Sequence, residues 1–284
     1  MINIIAFTLL STISLFFLIY TYWKKKNIHV FSGWLFIAGI SYAFEFVVLI
    51  VFNGYEYHPN ILENRFHDTI LGTIVSQGIT IPAFGVFIAG FQLRFIWILL
   101  FSGLFMGIEE IFIALDLYHQ YWWKTIYTGL FLISAFAILK KWYTFFPNLQ
   151  QKKILWFITL LFLNIPISLT ISWFLSAVFQ LYTYDIGWFK DFDRDHTAFL
   201  GVYCVFTSII YTMIALSKEK RAVTFTLLIG FLFLIDWGLF KYGILTLSEN
   251  WSLFYFLLFH IFSALTYVYM DKQFFLKEDV QKVR

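Results

Sequence analysis

Nine apolar runs, at Asn3–Tyr22, Val30–Phe52, Thr69–Phe91, Phe95–Leu117, Thr125–Leu139, Ile154–Val178, Ala198–Leu216, Ala222–Phe240 and Trp251–Met270, leave this chain few ways to fold. A bilayer-spanning helix needs roughly 20 predominantly apolar residues, and only helices satisfy their own backbone hydrogen bonds in lipid outside closed barrels. The fifth run is short and reaches spanning length by including Trp122-Trp123 before it and Trp142-Tyr143 after it. The expected fold is therefore an all-α polytopic integral membrane helix bundle of about nine transmembrane helices, forming one membrane domain over residues 1–284. Composition agrees, because 61% hydrophobic and 13% charged residues are far from the balance of a soluble domain. The single cysteine, Cys204, lies in an apolar run, which excludes an intrachain disulfide and a CxxC pair.

Charge placement orients the bundle. Counting nine spans, every lysine and arginine falls on one side except Arg65, Lys124, Lys190, Arg194 and Lys241. By the positive-inside rule the N-terminus is outside and the tail, residues 271–284 with Lys272, Lys277, Lys282 and Arg284, is cytoplasmic, in a multi-pass protein of the cell membrane. The first run has no positive n-region and is followed by Lys24-Lys25-Lys26, which argues for a span and against a cleaved signal. Short basic clusters of this kind are topology signals, so the lipid bilayer is the expected partner and nucleic acid is not. Oligomeric state is not legible. Pro82 and Pro166 predict kinks.

Two outer loops, after the second and sixth runs, end alike. Arg65-Phe66-His67-Asp68-Thr69-Ile70-Leu71-Gly72 can be laid beside Arg194-Asp195-His196-Thr197-Ala198-Phe199-Leu200-Gly201 with small shifts. Ile108-Glu109-Glu110 in the fourth run likewise matches Ile235-Asp236-Trp237 in the eighth. Both correspondences stand four helices apart, which predicts a parallel duplication, residues 30–143 repeated as 154–270, after an extra first helix. The succession Glu109-Glu110, Tyr118, Trp122-Trp123, Tyr127, with a looser copy in Asp236-Trp237, Tyr242, Trp251, Tyr255, resembles small uncharacterised polytopic membrane proteins of endospore-forming bacteria. That resemblance covers the two repeat units and implies no activity, so it assigns no functional residue.

The acids concentrate in one half of the bundle. Glu45, Glu109, Glu110, Asp116 and Asp236 fall within apolar runs, with His260 in the ninth, and an acidic residue at a helix centre costs roughly 2.5–3.5 kcal/mol on insertion scales. Glu109 and Asp116, seven residues apart on one helix, are expected to share a face, with Glu110 turned about 100° away. Three functions stay open. The first is an ion- or proton-linked carrier or sensor of a small solute, with Glu109, Asp236 and Glu45 lining one cavity. The second is a metal-assisted enzyme acting on lipid or envelope substrates at the outer face, with His67, Asp68, Asp195 and His196 as ligands to a divalent ion. The third is an assembly protein whose acids only fix helix packing. Asp191-x-Asp193-x-Asp195 fails the calcium-loop pattern, since His196 stands at the glycine position and Val202 at the glutamate position. Neither HExxH, GxSxG, Walker A nor a kinase motif is present.

Overall fold

A computed structural model describes residues 2–146, 149 and 152–275, in two compact units that divide after Pro147. Of the predicted cytoplasmic tail, Lys277, Lys282 and Arg284 lie outside the described residues.

The first unit holds α1 (Ile2–Lys25), α2 (His29–Val51), α3 (Arg65–Gly90), α4 (Phe95–Ala114) and α5 (Thr125–Tyr143). Two of these change pitch. α2 ends in a π turn at Phe46–Val51, and α3 carries a π segment at Ile74–Thr80 immediately before Pro82. Proline has no N–H and its ring clashes with the carbonyl four residues back, so a widened turn is a natural accommodation. The core packs Ile81, Phe84 and Ile88 of α3 against Ile98 and Phe105 of α4 and Leu132 and Phe136 of α5. α1 closes the other side, with Leu18 against Val30, Ala83 and Val86.

The second unit holds α6 (Lys153–Val178, π at Phe174–Val178), α7 (Phe192–Leu216), α8 (Arg221–Lys241) and α9 (Leu253–Phe275). Eight of the nine helices among the described residues are long and apolar enough to span a membrane. α5 is less apolar because Lys140 and Lys141 occupy its last turn. The outward faces of α1, α4 and α8 carry bare Leu, Ile and Phe side chains, as lipid-facing helices do. The chain is a multi-pass membrane protein.

Each unit also closes with one short antiparallel strand pair. β1 (Tyr55–Tyr57) pairs with β2 (Tyr118–Gln120), and β3 (Tyr182–Tyr184) with β4 (Leu245–Leu247). The order helix, strand, helix, helix, strand, helix is thus the same from α2 to α5 and from α6 to α9. One interval along the chain separates Tyr55 from Tyr182, Asp68 from Asp195, Glu109 from Asp236 and Tyr118 from Leu245.

The end of α4 departs from expectation. The helix stops at Ala114 rather than Leu117, since Asp116 adopts a left-handed conformation (φ 56°) and the Leu117 N–H donates back to the Phe112 carbonyl at 2.8 Å. This is a Schellman cap. α8 ends the same way at Gly243 (φ 73°), with the Ile244 N–H on the Leu239 carbonyl at 3.0 Å. Asp116 is therefore not a helical residue sharing a face with Glu109; its side chain is 92% exposed.

Candidate functional site

Glu45 is the last α-helical residue before the π turn of α2, and Glu109 sits one turn from the end of α4. The two line one cavity of about 60 Å³ within the first unit, within electrostatic reach of each other. The strands bring Tyr55 and Tyr57 from one side and Tyr118 from the other, and Phe44 and Trp123 complete the aromatic wall. The π segment of α3 turns Ser76, Gln77 and Thr80 inward. Gly72 permits β1 to lie this close to α3, because a Cβ there would fall 2.4 Å from the Tyr57 Cβ.

Polar pairing is incomplete. The Tyr55 hydroxyl donates to Glu45 Oε2, the Tyr57 hydroxyl to Ser76 Oγ at 3.2 Å, and Gln120 Nε2 to Glu109 Oε1 at 2.6 Å. Glu45 is 4% and Gln77 7% exposed, yet Glu45 Oε1 and Gln77 Oε1 have no hydrogen-bond partner in the protein. None of the described residues lining the cavity is lysine, arginine or histidine. Burial, aided by the neighbouring carboxylates, pushes the Tyr55, Tyr57 and Tyr118 phenols far above their usual range, so all three remain neutral O–H groups. Glu110 is exposed and accepts from the Thr125 hydroxyl at 2.5 Å, and Thr125 is also a hydrogen-bond partner of Glu109, together with Thr128 and Gln120.

The second unit treats its carboxylate differently. Asp236 accepts from the Tyr203 hydroxyl on one oxygen and meets His260 Nε2 at 2.6 Å on the other. His260 Nδ1 in turn lies 2.5 Å from the Tyr211 hydroxyl. Asp236, His260 and Tyr211 are at most 1% exposed. The cavity beside them, lined by Tyr182, Tyr184, Tyr203, Cys204, Thr207 and His260 among others, is only about 20 Å³. By the interval that relates Glu109 to Asp236, Tyr203 takes the place of Ser76, Cys204 that of Gln77, and Ser172 that of Glu45. Glu45 and Glu109 thus form one group, and Asp236 and His260 another.

Asp68 and Asp195 do the same work in their two units. Asp68 accepts the backbone N–H groups of Asn60, Ile61 and Leu62 at 2.8–3.0 Å. Asp195 accepts those of Ile186, Gly187 and Phe189 at 2.8–3.0 Å. Each carboxylate ties a loop onto the first turn of the following helix. This pairing also shifts the alignment read from sequence, so that His196 answers to Thr69 rather than to His67. Thr69 Oγ1 donates to the Tyr57 carbonyl at 3.0 Å, and His196 Nδ1 accepts from the Tyr184 N–H at 2.9 Å. Among the described residues no group of three or more His, Cys, Asp or Glu is placed to hold a metal ion.

At the loop surface, burial alone would raise the Glu56 carboxyl, but hydrogen bonds from His58, Tyr121 and Arg65 outweigh it and hold the group below the usual carboxylate range. Sequence reading missed Tyr55, Tyr57, Ser76, Gln77, Tyr203 and Tyr211. The Tyr-x-Tyr signature, present as Tyr55-Glu56-Tyr57 and Tyr182-Thr183-Tyr184, was the available signal for the first two. No protein-family model, curated protein or solved structure matches the chain.

Proposed function

We propose that the protein is an ion- or proton-linked carrier or sensor of a small solute, built from two copies of one four-helix unit, with its working site at Glu45 and Glu109. The observation that carries this is two carboxylates lining one cavity with no basic side chain among the described residues of its wall. Desolvated negative charge is costly unless compensated, so a proton or a cation must balance it. Asp236 needs no such visitor, since His260 and Tyr203 occupy both of its oxygens. The lysine and arginine bias supports a topology with the N-terminus outside, the strand pairs at the outer face and the cavity opening toward it, in the cell membrane.

Thermal unfolding of the detergent-purified full chain across pH tests the reading. The titratable groups facing the carboxylates are Tyr55, Tyr57 and Tyr118, whose phenols stay neutral in the working range, and Glu110, whose charge acts on Glu109. A pH-dependent midpoint is expected in the wild type and in Asp236→Asn, and a flattened one in Glu109→Gln and Glu45→Gln. A profile unchanged by both glutamine variants would refute it.

A further inference from the structure

We infer that the first-unit cavity is built for a small primary ammonium cation; this rests on the reading of Glu45 and Glu109 as the working site and names its ligand class. The wall combines two features that seldom meet by accident. One is carboxylate charge with an unpartnered, 96% buried acceptor, Glu45 Oε1, beside the equally unpartnered Gln77 Oε1. The other is a cluster of packed aromatic rings lining the same cavity. Ring centroids of Tyr57 and Tyr118 lie 4.8 Å apart, Tyr55 and Tyr118 5.0 Å, and Tyr55 and Trp123 6.0 Å, with Phe44 against Trp123 at 5.6 Å. Aromatic faces attract an organic cation through the ring quadrupole, most strongly when it is desolvated.

The alternatives fit less well. A hard divalent ion takes six or more oxygen ligands and keeps waters, whereas this wall is mostly rings and aliphatic groups. An anion would meet two carboxylates and no cation. A neutral solute would need both acids to hold protons, and would offer the unpartnered Glu45 Oε1 and Gln77 Oε1 no charge-assisted donor. Size narrows the class further: about 60 Å³ is well under the ~150 Å³ of a cavity that admits benzene, so the ligand is an ammonium carrying few heavy atoms. An –NH3⁺ group has three N–H donors, and the wall holds the unpartnered acceptors Glu45 Oε1 and Gln77 Oε1, with the Glu109 carboxylate also lining it.

The full chain in lipid nanodiscs is titrated with methylammonium chloride, with potassium chloride and tetramethylammonium chloride in parallel, reading tryptophan fluorescence and thermal midpoint. Methylammonium is expected to give a saturable shift that neither control reproduces, weakened at least about tenfold in Glu45→Gln and in Trp123→Leu. An equal response to potassium would replace the ammonium class by an alkali ion. A response undiminished in both variants would place binding elsewhere. A silent titration alongside a pH dependence that Glu109→Gln removes would reject the ligand class and keep the site; silence in both would reject the two together.

Discussion

The two units share a frame and differ in how they balance one acid. In both, a Tyr-x-Tyr strand paired with a second short strand closes one end, an aspartate captures three loop amides, and a Schellman cap ends the helix that carries the acid. In the second unit Asp236 is enclosed by Tyr203 and His260, and the adjoining cavity is about 20 Å³. In the first, Ser76 replaces the tyrosine by position, a second acid is added at Glu45, and about 60 Å³ remains open. Helix geometry follows the same division: residues 74–80 of α3 are π-helical, while α7 runs as an unbroken α-helix from Phe192 to Leu216. A buried acid that finds all its partners inside the protein is a structural element, and one that does not is an invitation to a ligand or proton.

The comparison breaks most easily at Asp236. Asp236→Ala leaves His260 and Tyr203 buried without their acceptor and is expected to lower stability by about 3–5 kcal/mol, whereas Glu45→Gln removes a carboxyl that no basic side chain balances and stays within about 1 kcal/mol of wild type, both read by thermal unfolding. Comparable losses would erase the distinction. Next come Asp68→Ala and Asp195→Ala, each stripping three amides of their acceptor; losses of about 2–3 kcal/mol, equal in the two units, would sharpen the case for a shared frame. Gly72→Ala brings a methyl onto Tyr57 and should cost about 1–3 kcal/mol, with loss of any methylammonium response because β1 is pushed off α3.

The smallest effect belongs to Glu56→Gln, under about 1 kcal/mol at neutral pH, as its main cationic partner, Arg65, is 73% exposed. The folded carboxyl lies below its usual range, so its contribution is present above that range and disappears as pH falls through the lowered value. Unfolding midpoints of wild type and Glu56→Gln should therefore converge in acid.

Much of the frame was legible. The nine apolar runs are a direct consequence of bilayer thickness, and their limits agree with the helices to within about six residues. Glu109 and Asp236 were each legible as residues in need of a partner, since a carboxylate in an apolar run needs an explanation. The end of α4 was not, because an aspartate in a left-handed cap looks like any other helical residue in an apolar pattern. The loop amides held by Asp68 and Asp195 were not legible either, because residue type reports an oxygen acceptor without saying which N–H groups it will meet. The partners of Asp236 lie 33 and 24 residues away on other helices, and only folding discloses them.

Infrared spectroscopy of the carboxyl stretch, recorded as a pH difference on the full chain in lipid, tests the central claim most directly. If the first-unit acids exchange their compensating charge with the outside, a protonated-carboxyl band changes with pH in the wild type and in Asp236→Asn, and is lost in Glu45→Gln or Glu109→Gln. A band that survives both glutamine variants and vanishes only in Asp236→Asn would show that the enclosed acid is the exchanging one, and would contradict the account.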